Sequence, residues 1–117
     1  MKIKQITKGI GKTFSRYMFR GDNQITYVEA RDKMKKEICA ILLDVRSKQE
    51  YEEYHLEGAI CIPTYELVGA ISKITVNKEQ TIIVYCQSGA RSKKAVNLLR
   101  KMGYQNVYEI EGGIDNL

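Results

Sequence analysis

The 117 residues are enough for one domain with a real core, and 44% hydrophobic content, 28% charge and a single proline read as an ordinary globular chain. No apolar run approaches the roughly 20 residues that span a bilayer, and three cysteines with no close pair exclude a disulfide framework and a Cys-x-x-Cys zinc site. The net charge of +5 is localised: Lys2, Lys4, Lys8, Lys12, Arg16 and Arg20 all precede the first acid, Asp22, and the remaining 97 residues hold 13 basic and 14 acidic side chains. A near-neutral body argues against a nucleic-acid partner, and unpaired cysteines point to a reducing cytoplasm.

Residues 1–23 read as a basic extension and residues 24–117 as the domain proper. At helical spacing Ile3, Ile6, Ile10, Phe14, Tyr17 and Met18 share one side, while Lys4, Lys8, Lys12, Arg16 and Arg20 recur on the other. Gly9 and Gly11 weaken such a helix by about 1 kcal/mol each. Three uses stay open for residues 1–20: packing or a loose tail, contact with an anionic membrane surface or a partner, and targeting.

Beyond the Gly21-Asp22-Asn23 break, strands and helices alternate. Residues 27–37 read as a helix and 40–45, "AILLDV", as a buried strand. Ser47 and Glu50 have capping-box spacing and open a short helix. "AICI" (59–62) is a strand ending at Pro63, and Thr64 is placed to cap the helix that follows. "TIIVYC" (81–86) is β-branched and nearly continuous, as a central parallel strand should be. A helix over 91–102 ends at Gly103, where a C-terminal cap belongs. "NVYEI" (106–110) is the last strand. The alternation predicts a three-layer α/β domain with a mainly parallel sheet.

Chemistry concentrates at "YCQSGARSKKA". Cys86 ends a buried strand, where sites gather in open α/β sheets. Gln87, Ser88, Gly89 and Ala90 then lead to a helix start bearing Arg91 and Ser92. Gly89 permits a positive φ, so successive N–H groups can converge on one point. The helix N-terminus, Arg91 and, more distantly, Lys93 all favour a thiolate over a thiol. These features predict a negatively charged sulfur within reach of solvent. Cys39 and Cys61 lie in apolar runs without such a loop and read as small core residues.

"CQSGARS" with the following "KKAVNLLRKMGYQNVYEIEGG", and the upstream "LLDVRSKQEYEEYHLEGAICIP", resemble the rhodanese-like sulfurtransferases over about residues 24–117. The resemblance implies a three-layer rhodanese-like fold with a mainly parallel five-stranded sheet flanked by helices. It implies Cys86 as a nucleophile that takes sulfane sulfur from thiosulfate or a persulfide and passes it to a thiol or cyanide acceptor. Gln87, Ser88, Gly89, Ala90, Arg91 and Ser92 would form the substrate loop, and Asp44 and Arg46 would steady it. His55 reads as structural and Glu50 as a helix cap. No metal and no cofactor are implied; the partners are a small sulfur donor, a thiol acceptor and, as a further option, a protein persulfide.

Six residues from Cys86 to Arg91 match the sulfurtransferases. The related phosphatases place one more residue there, making room for a tetrahedral oxyanion. Gln87 and Ala90 are neutral where thiosulfate-using members often carry cations, which points toward a persulfide donor. Leu117 stands where the family commonly has tryptophan, implying a shortened last helix and a more open flank to the loop. The alternative reading is a non-catalytic rhodanese module that binds a partner or senses persulfide.

Overall fold

The computed structural model describes residues 23–117. The amphipathic pattern of residues 1–20, and all but the last residue of the 1–23 extension, lie outside the described residues. Five strands, β1 (Gln24–Ile25), β2 (Ile41–Asp44), β3 (Ile60–Cys61), β4 (Thr81–Tyr85) and β5 (Asn106–Ile110), form one sheet in the order β1-β5-β4-β2-β3. Every pairing is parallel. The helices are α1 (Tyr27–Lys36), α2 (Lys48–Glu53), α3 (Leu67–Ile74) and α4 (Ala90–Lys101), with 3-10 turns at Thr64–Glu66 and Gly113–Asn116.

Local chemistry explains the boundaries. Thr26 and Ser47 each close a reciprocal capping box, with Glu29 and Glu50 respectively, and so start α1 and α2. Gly103, at φ 99°, ends α4 in the left-handed conformation that a residue without Cβ adopts freely. β4 is buried along its whole length, because β2 and β5 pair with its two edges and helices cover both faces.

Strand alternation divides the core between the two faces. Ile82, Val84 and Cys86 pack with Leu43, Val45, Leu67, Ile71, Ala95, Leu99 and Val107, under α3 and α4. Ile83 and Tyr85 pack with Leu42, Ile25, Ala30, Leu56 and Ile110, under α1 and the segment that follows α2.

Three details differ from the sequence reading. The two-residue edge strand β1 carries no periodic signal, yet it pairs with β5 through Gln24 opposite Glu109 and Ile25 opposite Ile110. Cys39 is exposed, because "ICA" forms a turn in which the Ala40 N–H donates to the Glu37 carbonyl at 2.8 Å. Thr64 does not cap α3. Its hydroxyl donates to the Val45 carbonyl at 3.4 Å, and a 3-10 turn intervenes before the helix.

The C-terminal 3-10 turn covers the back of the cysteine loop instead of leaving that flank open. The Ile114 N–H donates to the Cys86 carbonyl at 3.0 Å, and the Asp115 N–H to the Gln87 carbonyl at 2.9 Å. This approach needs glycine at 113. Its φ is 62°, and a Cβ there would overlap the Cys86 carbonyl oxygen and lie 2.6 Å from that of Gln87. Gly113→Ala should therefore lower stability by about 2 kcal/mol or more, combining left-handed strain with overpacking. Urea denaturation of the two proteins checks this, and an unchanged midpoint would mean the turn can leave the loop at no cost.

Candidate active site

The carboxyl ends of β2 and β4 lie side by side, Asp44 opposite Tyr85, so the segments leaving them meet. From β4, Cys86 opens a loop that turns at Gly89, whose φ of 111° makes it the left-handed N-cap of α4. That turn aims two main-chain donors at the sulfur. The N–H of Gly89 lies 3.1 Å from Cys86 Sγ and that of Ser92 lies 3.3 Å from it. The Ser92 hydroxyl is the third neighbour, at 3.5 Å. Both main-chain donors belong to the N-cap and first turn of the twelve-residue α4.

The expected reach to solvent is not what the structure shows. Cys86 is only 1% exposed, because the loop closes its own amides over the sulfur. Ser88 and Ala90 form the exposed rim.

Arg91 also differs from the expectation of a cation given over to the sulfur. Its guanidinium makes a two-pronged contact with Glu50, Nη1 to Oε1 at 2.7 Å and Nη2 to Oε2 at 3.0 Å. Glu50 therefore does more than cap α2. Arg91's hydrogen bonds and the Ser47 N–H hold its carboxyl down at about 2, and Glu50 in turn raises Arg91.

Asp44 and Arg46 form a buried pair. Arg46 Nη2 lies 2.8 Å from Asp44 Oδ2, and Nε bonds both carboxylate oxygens. The remaining prongs of the guanidinium reach the Tyr54 carbonyl at 2.5 Å and Gln87 Oε1 at 3.2 Å. Gln87 then donates from Nε2 to Asp115 Oδ1 at 2.6 Å. Thus Gln87 is a strut between the end of β2 and the C-terminal turn. His55 is exposed, stacks on Tyr51 at 3.7 Å between ring centroids, and bonds the Tyr51 carbonyl through Nδ1.

One residue of the site went unread in the sequence. Glu109, on β5, is 2% exposed, and its Oε2 accepts the Ser92 hydroxyl at 2.8 Å. A charged residue inside the strand "NVYEI" was the available signal, since a carboxylate on a central strand needs a partner. Among the described residues no group of three or more His, Cys, Asp or Glu side chains could hold a metal, and no helix is long and apolar enough to cross a membrane. A cavity of about 280 Å³ lined by Tyr27, Met34, Leu42, Leu56 and Ile110 belongs to the α1 face, opposite Cys86.

The family model of the rhodanese-like domain matches residues 26–117. The chain belongs to the rhodanese-like domain family. Among solved structures, a rhodanese-like domain from Anabaena aligns with a TM-score of 0.72 and 30% identity over 81% of this chain and 72% of its own. The human single-domain sulfurtransferase TSTD1 aligns at 0.69 and 25% identity, over 81% of this chain and 94% of that one. Curated relatives include the tRNA uridine(34) hydroxylases of Erwinia tasmaniensis, 40% identical over 64% of this chain, and Protochlamydia amoebophila, 37% identical over 79%. The chain spans only 23% and 31% of those two proteins, respectively.

The Glu50–Arg91 pair gives a pH prediction. A carboxyl lowered from 4.5 to about 2 on folding stabilises the fold above its unfolded value and loses that contribution as pH falls toward 2. Glu50→Gln keeps a capping acceptor and removes only the charge. With the pair partly exposed and screened, the variant should be about 1 kcal/mol less stable near neutral pH. That difference should close between about pH 4.5 and 2. Urea titrations across this range check it, and a difference independent of pH would assign the loss to something other than the ion pair.

Proposed function

We propose that this rhodanese-like domain is a sulfurtransferase that carries sulfane sulfur on Cys86. The observation that supports this most directly is the pair of main-chain N–H groups, from Gly89 and Ser92, directed at the Cys86 sulfur. Such donors stabilise a sulfur anion without a histidine base. The thiolate attacks the outer sulfur of a donor, a new S–S bond forms, and the old one breaks with its electron pair leaving on the donor remnant. An acceptor thiolate, or cyanide, then attacks the outer sulfur of the Cys86 persulfide and releases the Cys86 thiolate.

A persulfide is the better donor for this site than thiosulfate. Both arginines at the loop already hold carboxylates, Arg91 with Glu50 and Arg46 with Asp44, so neither offers a dianion an unshared charge. Gln87 and Ala90 add none. A low-molecular-weight or protein persulfide asks less of the site, and it meets the loop at the exposed Ser88 and Ala90. Free thiols on Cys39, Cys61 and Cys86 fit work in a reducing cytoplasm.

The names of the curated relatives favour a second reading, in which Cys86 serves the hydroxylation of a tRNA uridine. The segment matched is less than a third of each of those proteins, and residues 21–117 of this chain are close to charge-neutral. Sulfur transfer without a nucleic-acid partner is therefore preferred. A non-catalytic module is the third option, and it predicts that loss of the thiol leaves function intact.

Incubation with a persulfide donor followed by intact mass spectrometry tests the proposal. Expected is a gain of one sulfur, about 32 Da, that maps to Cys86 and vanishes on reduction. Cys86→Ser should abolish both the gain and thiocyanate formation from cyanide. A wild-type protein that acquires no sulfur at Cys86, or one that retains tRNA at physiological salt, would overturn the sulfurtransferase reading.

A further inference from the structure

The side chains of Cys86, Ser92 and Glu109 form a continuous line beneath the loop. Cys86 Sγ is 3.5 Å from Ser92 Oγ, and Ser92 Oγ is 2.8 Å from Glu109 Oε2. The members are 1%, 0% and 2% exposed, respectively, so water does not compete for these contacts. Strand alternation places them together. Val84 on β4 and Cys86 just past its end, with Val107 and Glu109 on β5, share the face covered by α4, whose first turn supplies Ser92.

A buried carboxylate ordinarily sits with a cation. Among the described residues none of the ion pairs involves Glu109, and Arg91, one position before Ser92, is turned to Glu50. The groups that meet this line are the Ser92 hydroxyl from α4, the Cys86 thiol from the loop and the Gly89 carbonyl, 3.1 Å from Ser92 Oγ. The line thus has one buried acid at each end and a hydroxyl between them.

Resting on the reading of Cys86 as the sulfur carrier, we infer that Glu109 receives the Cys86 proton through Ser92, so that thiol and carboxylate share one proton and one negative charge. The thiol proton passes to Ser92 Oγ as the proton of Ser92 passes to Glu109 Oε2. Afterwards the Glu109 carboxylic acid donates to Ser92, and Ser92 donates to the sulfur. That gives the sulfur anion a third donor beside the amides of Gly89 and Ser92. The thiolate then attacks the outer sulfur of a persulfide R–S–SH, forming Cys86–S–SH and releasing R–S⁻. When an acceptor thiolate removes the outer sulfur, Cys86 leaves as a thiolate and the original charge is restored. No oxidant or reductant is needed, and the proton on Glu109 keeps two anions from standing side by side.

The signature is a pH profile. Two groups that share one proton keep a fixed thiolate fraction over the range where the pair holds a single charge. A lone thiol instead gains thiolate tenfold per unit below its titration point. The test measures iodoacetamide alkylation of the full chain from about pH 5 to 9, following the Cys86 peptide by mass spectrometry so that Cys39 and Cys61 do not contribute. For the wild type the rate should change less than about threefold between pH 6 and 8.

Glu109→Gln removes the acceptor, and Ser92→Ala removes the bridge while keeping the Ser92 amide. Each should convert the plateau into a rising curve and slow alkylation near pH 6 by about tenfold or more. Circular dichroism melts identify a variant that does not fold, in which case the other, which cuts the line at a different oxygen, carries the comparison. A lone-thiol slope in the wild type overturns the inference without any variant. So does a Glu109→Gln protein that keeps the wild-type profile or reacts faster at low pH, as loss of a merely repelling charge would cause. If the wild type acquires no persulfide at all, the sulfur-carrier reading itself falls. If it acquires one and only the profile disagrees, the role of Glu109 alone falls.

Discussion

The site depends on two main-chain amides arriving at one sulfur. The N–H groups of Gly89 and Ser92 reach Cys86 Sγ because Gly89 adopts a φ of 111°, which reverses the chain within three residues of Cys86. The turn is restrained from behind as well. The Cys86 and Gln87 carbonyls point away from the sulfur and accept from Ile114 and Asp115, so the peptide units are oriented before any substrate arrives. Preorganised dipoles of this kind need no rearrangement when charge develops, which is why they act more strongly in a dry site than in water. The closeness of Gly113 to the Cys86 carbonyl is the steric condition for that restraint.

Charge around the loop is arranged in closed pairs. Arg46 is committed to Asp44, with its remaining donors on Gln87 and Tyr54, and Arg91 is committed to Glu50. Neither guanidinium is left unpaired above the sulfur. The field at the sulfur therefore comes mainly from amides and a helix start, whose range is short. A short-range field suits a ligand whose negative charge sits on one atom. It suits poorly a dianion that spreads charge over several oxygens, which would need cations at the rim. The pairs act instead as braces: Arg46 ties β2 to Gln87, and Glu50 ties the start of α2 to the first turn of α4.

Much of this architecture was legible because the signals are local. The β-branched run 81–85, the Ser47–Glu50 spacing and Gly103 each act through their immediate neighbours, and all produced the elements expected of them. The cysteine loop was legible for the same reason, since strand, turn glycine and helix start follow one another in the chain. What escaped depends on contacts distant in sequence. The partners Glu50 and Arg91 are 41 positions apart, and Ser92 and Glu109 are 17 apart. No periodicity joins such residues. β1 escaped because two residues cannot display alternation and owe their pairing entirely to β5. Cys39 was misread because an apolar composition in "EICA" concealed a turn whose side chains face water, with Ile38 94% exposed.

The two buried carboxylates beside the loop show how one sheet separates support from chemistry. Asp44 alternates with Leu43 and Val45 and so faces away from Cys86, whereas Glu109 alternates with Tyr108 and Ile110 and shares the face of Cys86. On the first face the carboxylate is bound to a guanidinium by three contacts. A group held in that way can orient a loop. On the second face the carboxylate has a neutral hydroxyl as its partner, and beyond it lies a thiol. Among the described residues no ion pair involves this carboxylate. Exchanging the two environments would leave the loop without its brace. The alternation of side chains along parallel strands is what keeps them apart.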